Sequence, residues 1–462
     1  MLAVSLWRRL AALQRLSFDY DEGVYWQSLE SLRHGHRLFA EVFSSQPPFF
    51  LAVLTPIYNI LGGGIVAGRL PVMVGSLVAL VAVFFIGNAV AGPGTGLWAM
   101  AVMAFDPLYL DLSDRLQADL PCVVIGVVGV AVAAEAHRRA SGYTLWAIAG
   151  GVVGFSIMTK LLGIVFLVPL AWFALSSDRS AWRRLVAAGS GVALAVVLAL
   201  APFAGDLSAV YRQAIGLHLG ARVSEPQSIG EKLRRVVDSY PAVVPGLAAL
   251  VTLSAAAVSR VRWVAMLLAW LLAALAIDLV QGPLFIHHLV ILVPPVSLLA
   301  GAAPGLLLKA IANRRAALAT PAPGPRSTLA VGAVTFAVVA GLGAHTMASP
   351  LPPADASTAP TIAAIAKFVP RAVTVVTDEP FAAAYTGHPV PPNLVDQSHA
   401  RISSGELTPT TVEADTEAAG AGAVIFSTGR LKTLSGFPEW VASHFHLVDD
   451  AGGGLQVWLR DP

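Results

Sequence analysis

Three carboxylates stand within four residues near the start of the chain: Asp19, Asp21 and Glu22. Like charges at this spacing repel one another, so at least one of these groups is expected to have a raised pKa unless a cation lies near. A carboxylate with a raised pKa can accept a proton from a hydroxyl group near neutral pH. This segment could therefore supply a general base.

A second acidic segment, residues 111–119, contains Asp114, Arg115 and Asp119. Asp119 comes two residues before Pro121, which is typical of a helix start, where aspartate caps the first turn and proline is tolerated. The same position, at the mouth of a long apolar run, also suits an active-site carboxylate. Both interpretations of Asp119 stay open on the sequence alone.

Side chains that could bind a phosphate group are more widely spaced. Lys160 lies between two apolar runs with no counter-charge nearby in the sequence. It fits either an amine that reaches the membrane surface or a phosphate ligand. His287 and His288 begin a later apolar run, but two adjacent histidines rarely share one ion, so no metal site is predicted. His218 and Arg222 lie in the polar segment 205–240, whose end has the pattern of a basic amphipathic helix.

The composition indicates which solvent surrounds the chain. Of 462 residues, 56% are apolar and 13% are charged, and the mean hydropathy is +0.70. Soluble domains carry about 25% charged residues, so a lipid bilayer is predicted as the solvent. A net charge of +2 gives no reason to expect a nucleic-acid partner. The chain has one cysteine, so it cannot form an intrachain disulfide, and it contains no P-loop, Gly-x-Ser-x-Gly or His-Glu-x-x-His motif.

Ten apolar segments approach or exceed the length of about 20 helical residues that crosses a bilayer core. They are residues 65–90, 97–110, 120–136, 143–159, 161–175, 185–204, 241–259, 263–281, 288–308 and 327–347. The further apolar run 47–63 contains three prolines and is interpreted as a membrane-surface or re-entrant helix. The sequence therefore predicts an α-helical polytopic membrane protein with about ten spans.

Basic residues orient the predicted bundle. Arginine and lysine cluster at four connections, residues 138–139, 179–184, 260–262 and 309–326. By the positive-inside rule these connections are cytoplasmic. Alternation then places residues 19–64, 111–119, 205–240 and 282–287, together with the tail from 348, on the opposite face. Residues 1–18 hold no full span, so this stretch is expected to be a curtailed helix or to lie in the interface.

The composition changes after residue 348. Prolines in 349–359 predict a linker between a transmembrane domain at 1–348 and an extracytoplasmic domain at 360–462. In the second domain, alternating strands and helices predict a small α/β fold. The predicted strands are 372–377, 423–427 and 455–459, and the predicted helices are 360–368 and 437–445.

Taken together, these motifs resemble the membrane glycosyltransferases of the GT-C class, in particular the family 39-like group with protein O-mannosyltransferases and lipid A aminoarabinose transferases. The resemblance covers roughly residues 19–300. It is carried by Asp21-Glu22 with Tyr25, Gln46-Pro47-Pro48, Arg115 to Asp119, Lys160, and His288 with Pro294-Pro295. The tail, including residues 396–399, is similar to tails of actinobacterial members. Aminoarabinose transferases have Lys-Pro-Pro where this chain has Gln46-Pro-Pro, so the phosphate contact of that lysine is not carried over.

The resemblance implies a GT-C-like bundle that transfers a sugar from a polyprenyl-phosphate donor, with inversion at C1. The acceptor would be a hydroxyl of a cell-envelope glycan, lipid or protein, and membrane lipids would surround the enzyme. The catalytic residues would be Asp21, as base, with Asp119 and Glu22, and Asp19 as a further alternative. The substrate-binding residues would be Tyr25, Arg115, Lys160, His218, Arg222 and His288. No cofactor is implied, although a divalent cation could take part.

Two other classes of function are compatible with a polytopic membrane protein. A transporter or lipid flippase would favour polar residues near the bilayer midplane and internally repeated halves. In this chain the ionisable residues gather at segment ends, and no internal repeat is visible. A non-catalytic scaffold that presents the tail domain would not need two acidic loops.

Overall fold

The computed structural model describes residues 2–14, 19–175, 180–224, 226–239, 262–317, 325–348 and 358–461. A bundle of helices is followed by a small α/β domain. The helices are α1 Leu2–Ala12, α2 Tyr20–Arg33, α3 Phe49–Ile60, α4 Gly64–Ala91, α5 Pro93–Ala104, α6 Pro107–Leu112, α7 Asp119–Arg138, α8 Tyr143–Thr159, α9 Leu167–Leu175, α10 Ala181–Leu200, α11 Leu207–Tyr211, α12 Leu217–Ser224, α13 Ile229–Ser239, α14 Arg262–Val280, α15 Val293–Ala317, α16 Pro325–Ala348, α17 Thr358–Phe368, α18 Pro380–Tyr385, α19 His399–Ser403, α20 Pro409–Ala418 and α21 Phe437–His444. Short 3-10 or π turns occupy Leu161–Phe166, Ala201–Phe203, Arg212–Gly216, Ile286–Leu292, Pro392–Leu394 and Leu431–Thr433.

Within the described residues, five helical segments are long and apolar enough to cross a membrane. They are Gly64–Ala91, Asp119–Arg138, Ala181–Phe203, Trp263–Val280 and Ile286–Asn313. Shorter apolar helices occupy Phe49–Ile60, Tyr143–Thr159, Leu161–Leu175 and Val331–Gly341. The predicted α-helical membrane fold is confirmed, and the chain is a multi-pass membrane protein. The predicted span 241–259 lies outside the described residues, and the predicted span 97–110 is broken between α5 and α6.

Helix breaks at one end of the bundle create the loops that carry the polar residues. Gly62, Gly63 and Gly64 all have φ between 82° and 88°, a left-handed conformation that glycine adopts without strain. They separate α3 from α4. At the same end the backbone becomes extended at Lys160 after α8 (φ −155°, ψ 140°), and α7 begins at Asp119. We call this end of the bundle the site end.

The first helix packs with one face against the bundle. The Ser5 hydroxyl donates to the Ala104 carbonyl oxygen at 3.0 Å, and the Arg9 Nε donates to the Ser76 hydroxyl at 3.2 Å. The Arg9 guanidinium also lies 5.7 Å from the centre of the Tyr109 ring. A buried arginine needs such partners, because an unpaired charge away from water is costly. The described part of the stretch before residue 19 is therefore a short helix with one face buried against the bundle and with Trp7 and Leu10 exposed.

The C-terminal domain contains a four-stranded sheet in the order β1-β2-β4-β3. The strands are β1 Val375–Thr377, β2 Ala423–Phe426, β3 Phe445–Gly452 and β4 Leu455–Arg460. The β1–β2 pair is parallel and the other two pairs are antiparallel. The three predicted strands and both predicted helices are confirmed. The sequence analysis missed β3, whose residues are mostly exposed.

The core of this domain continues into the loops of the site end. One hydrophobic cluster joins Tyr25, Trp26 and Leu29 of α2 to Ile365 and Phe381 of the C-terminal domain. Burying these side chains together is favourable because it removes apolar area from water. Part of the predicted linker lies outside the described residues, and α17 begins at Thr358, two residues before the predicted domain start.

Candidate active site

The first acidic segment forms the start of α2. Asp19 is the N-cap residue, and its carboxylate accepts a hydrogen bond from the Asp21 backbone N–H at 3.0 Å. This is a common use of aspartate, since the first backbone N–H groups of a helix have no intrahelical partner. The cap fixes the direction in which the first turn presents Asp21.

Arg115 ties the two acidic loops together. Its guanidinium donates to Asp19 at 2.8 Å and forms an ion pair with Asp111 at 2.8 Å. Burial alone would lower the pKa of Arg115, but Asp111 and Asp19 more than offset this and raise it above its usual value. Arg115 therefore remains charged and acts as a bridge between loops, an arrangement that leaves it poorly placed to bind a phosphate.

Glu22 is enclosed in an ion pair with a residue of α4. Arg69 donates to both carboxylate oxygens, at 2.7 Å and 2.6 Å, and the Leu116 backbone N–H donates to one of them at 2.8 Å. Both side chains are buried. A bidentate arginine pair of this kind is strong and geometrically specific. The geometry favours a structural role for Glu22, which holds α2 against α4, over a role as base.

Asp21 lies on the other side of the same helical turn, and we call the space between its partly exposed carboxylate and His287 the cleft. The Asp21 side chain retains 41% exposure, and one carboxylate oxygen lies 3.6 Å from the His287 Nε2. Shielding by the protein walls of the cleft, followed by the negative charge of Asp19, raises the pKa of Asp21 to about 6. His287 and Lys160 oppose this rise. Asp21 is therefore ionised at neutral pH and is still basic enough to accept a proton.

Asp119 and Lys160 form a buried pair at the floor of the cleft. The Lys160 Nζ donates to both Asp119 oxygens at 2.8 Å, and the two side chains are only 9% and 2% exposed. The N-cap of α7 is Ala118, so Asp119 is the first residue of the helix rather than its cap. Lys160 does not reach towards a membrane surface. The pair joins residues 41 positions apart, and it disagrees with the cap interpretation of Asp119 and with the membrane-surface interpretation of Lys160. The catalytic and phosphate-binding interpretations stay predictions.

His287 and His288 complete the cluster. One donor atom from each histidine and one oxygen of Asp119 all lie within 4.8 Å of one another. Because His287 also approaches Asp21, the structure places the two aspartates beside the same imidazole. Two histidines and a carboxylate form a ligand set that zinc favours.

Two of the three residues in this set already accept hydrogen bonds within the protein. Both oxygens of Asp119 accept hydrogen bonds from Lys160, and the His288 Nδ1 accepts a hydrogen bond from the Phe285 backbone N–H at 3.3 Å. In a neutral His288 this assigns the ring proton to Nε2, where a metal would otherwise bind. A metal ion would bind this set after Lys160 leaves Asp119 and His288 loses its Nε2 proton, and the reaction proposed below uses no metal.

Two further predicted residues line the cleft. Tyr25, one turn after Asp21, is buried with its ring edge-on to Phe50 at 5.3 Å. Burial, followed by the charges of Asp119 and Asp21, raises the pKa of Tyr25 well above its usual value, so its hydroxyl stays protonated. The His218 Nε2 bonds to the Ser45 carbonyl oxygen at 2.8 Å. Burial lowers the pKa of His218, so its Nδ1 is an acceptor at neutral pH.

The predicted residues thus divide into three groups. Asp21, Asp119, Lys160, His288, Tyr25 and His218 gather around one cleft. Arg222 is exposed beside Gly282, and Glu22 and Arg115 are held in ion pairs. From the sequence, His287 is a candidate only as a metal ligand, and its position between the two aspartates is not predicted. Its adjacency to His288 was the one available signal.

Comparison with known proteins identifies one matching family model. Residues 45–206 match the family model described as dolichyl-phosphate-mannose-protein mannosyltransferase. A search of curated proteins returns no match to the sequence.

Solved structures cover nearly the whole chain. ArnT from Cupriavidus metallidurans bound to undecaprenyl phosphate is similar with a TM-score of 0.67 and 17% identity, over 99% of this chain and 96% of that chain. The oligosaccharyltransferase AglB from Archaeoglobus fulgidus, in complex with an inhibitory peptide and a dolichol-phosphate, gives 0.57 and 12%, over 100% and 74%. Its complex with Zn and sulfate gives 0.54 and 12%, over 99% and 73%. The chain has the fold of the GT-C membrane glycosyltransferases.

Proposed function

We propose that this chain is a glycosyltransferase that moves a sugar from a polyprenyl-phosphate donor to an acceptor hydroxyl, with inversion at C1. The observation that carries the proposal is the cluster of ionisable side chains around Asp21 and Asp119. It places a carboxylate with a raised pKa, Asp21, opposite an ammonium group, Lys160, and two imidazoles. The undecaprenyl phosphate in the ArnT structure and the dolichol-phosphate in the AglB structure support a lipid-phosphate donor.

In the proposed reaction, Asp21 accepts the proton of the acceptor hydroxyl while the hydroxyl oxygen forms a bond to C1 of the sugar. The bond between C1 and the phosphate oxygen breaks, and its electron pair leaves with the phosphate. Attack on the face opposite the leaving group inverts C1. General-base assistance of this kind contributes about a hundred- to ten-thousand-fold to the rate.

Lys160 and His288 are proposed to bind the departing phosphate. An ammonium group has three donors, and Asp119 accepts two of those of Lys160, so one remains for a phosphate oxygen. The His288 Nε2–H supplies a second donor, because its Nδ1 is held by Phe285. Donors that are fixed before the reaction stabilise developing charge without reorganising. Asp119 therefore acts by orienting Lys160.

The remaining parts of the proposal concern acceptor and orientation. Tyr25 and His218 line the cleft and can hydrogen-bond to sugar hydroxyls. The basic clusters at 138–139 and 179–184 support a cytoplasmic position for the far end of the bundle. The site end and the C-terminal domain would then face the cell exterior, where a glycan, lipid or protein of the cell envelope is the acceptor.

The decisive experiment incubates purified protein in lipid with a panel of radiolabelled polyprenyl-phosphate sugars and envelope acceptors. One donor should lose its sugar to an acceptor, and Asp21→Asn should abolish this transfer while it leaves donor binding nearly intact. Glu41→Gln is the matched control, because Glu41 is a carboxylate of the same loop but is exposed and paired with Arg37. Movement of intact donor across the bilayer without sugar transfer would instead establish a flippase.

A further inference from the structure

The C-terminal domain contacts the helical turn that carries Asp21. The Tyr20 hydroxyl donates to the Asp396 carboxylate at 3.1 Å and accepts the Gln397 backbone N–H at 2.6 Å. The Arg430 guanidinium covers the Tyr20 ring at 3.9 Å from its centre. Tyr20 is thus held at its hydroxyl and at its face, immediately before Asp21 in the chain.

The contact made by Arg430 is itself supported within the C-terminal domain. The buried Asp378 carboxylate accepts backbone N–H groups of Ser427, Thr428 and Leu431, at 2.8 Å, 3.1 Å and 3.2 Å. It therefore folds the turn that presents Arg430. Arg430 also donates to the Asp378 carbonyl oxygen at 3.2 Å. A carboxylate buried with this number of donors fixes the local backbone.

The helix face on which Tyr20 lies is the face that the C-terminal domain covers. A Cβ atom at Gly23 would lie 2.4 Å from the Phe381 backbone nitrogen, so α2 and α18 approach each other at a distance that only glycine permits at position 23. The Gln27 Nε2 donates to the His388 carbonyl oxygen at 3.0 Å. Positions 20, 23 and 27 share one helix face. Asp21 and Tyr25, four residues apart, share another, which faces the cleft.

We propose that the C-terminal domain is a positioning element of the active site, which acts through Tyr20 to fix the helical turn that presents Asp21. The proposal rests on the role of Asp21 as base. Tyr20, Asp396 and Arg430 are positioning residues, because they contact the turn rather than the substrate. A displacement of about 1 Å at a reacting group can cost a hundredfold in rate, so fixing this turn matters for catalysis.

The test compares Tyr20→Phe with Gln27→Met in the full-length protein. Each change removes hydrogen bonds from the same interface and keeps the side-chain volume. Tyr20→Phe should lower kcat about ten- to a hundredfold with little change in KM for the donor, and should shift the acid limb of the pH profile below 6, because a looser Asp21 becomes better hydrated. Gln27→Met should lower the melting temperature but leave the pH profile unchanged.

Asp396 provides an independent variant. Asp396→Ala should reproduce the pH shift of Tyr20→Phe, whereas Asp396→Asn keeps an oxygen acceptor for the Tyr20 hydroxyl and should retain more activity than Asp396→Ala. If both Tyr20→Phe and Asp396→Ala lose activity only in proportion to folded protein, with the wild-type pH profile, the positioning role is refuted. Transfer that survives in Asp21→Asn would refute the proposed base instead, so the two failures are distinguishable.

Discussion

Replacing Lys160 by methionine separates its structural contribution from its proposed contact with phosphate. The change keeps an unbranched side chain but removes the ammonium group. Asp119, whose side chain is 2% exposed, would then lose both of its 2.8 Å hydrogen bonds to the Lys160 Nζ. Removing one partner of a buried ion pair destabilises a protein by about 3–5 kcal/mol, because the remaining charge is uncompensated. A large fall in melting temperature is expected for Lys160→Met.

The double variant Asp119→Asn with Lys160→Met removes the stranded charge and should recover most of that stability. Its phosphate binding should remain weak. A hydrogen bond to a charged group contributes about 1.5–3 kcal/mol, which is roughly a ten- to 150-fold loss in affinity. Titration of undecaprenyl phosphate, followed by tryptophan fluorescence, measures Kd in each variant. Lys367→Met, at an exposed lysine of the C-terminal domain, is the control. Wild-type affinity in a folded double variant would refute the assignment of Lys160 to the phosphate.

Three further predictions follow from the site. The kcat/KM of transfer should rise with pH through an apparent pKa of about 6 and level off above it, because the base must be ionised; a flat profile between pH 5 and pH 8 would contradict the role of Asp21. Transfer should be unchanged in EDTA, because the Asp119 oxygens accept hydrogen bonds from Lys160 and the His288 Nδ1 accepts one from the Phe285 backbone N–H. A loss of activity that zinc restores would show that a metal ion displaces these hydrogen bonds. In whole cells that express a Cys122→Ser background, an impermeant thiol reagent should label Ser224→Cys and leave Ser180→Cys unlabelled; the reverse pattern would invert the topology.

The sequence predicts the membrane fold because apolar segments and basic connections are local properties of the chain. It also indicates candidate site residues, because few polar residues interrupt the apolar pattern. The ion-pair partner of each charged residue is harder to predict. Glu22 has the same local pattern as Asp21, and only the position of Arg69 across the loop shows that Glu22 is enclosed. Arg69 lies within the apolar helix α4, where it is a single charged residue and the hydropathy of the segment does not indicate its partner.

The contacts of the C-terminal domain with α2 could not be predicted from the sequence either. Asp396 and Tyr20 are 376 positions apart, and neither is unusual in its own segment. Three strands were predicted because their residues are buried and apolar. The missed strand β3 contains Asp449 and Asp450 and pairs along one edge only. Its pairing with β4, rather than its own residue types, makes it a strand.

The close approach of Gly23 to Phe381 has a consequence for biosynthesis. The two residues belong to opposite ends of the chain, so α2 is made long before the domain that covers it. At roughly 5–20 residues per second, the ribosome needs about 20 s to over a minute to reach the C-terminal domain after α2 has been made. During that interval Trp26 and Leu29 lack the C-terminal part of their hydrophobic cluster. The hydrogen bonds of Tyr20 to Asp396 and Gln397 are therefore among the last contacts to form, and a chain released before the C-terminal domain is made lacks them.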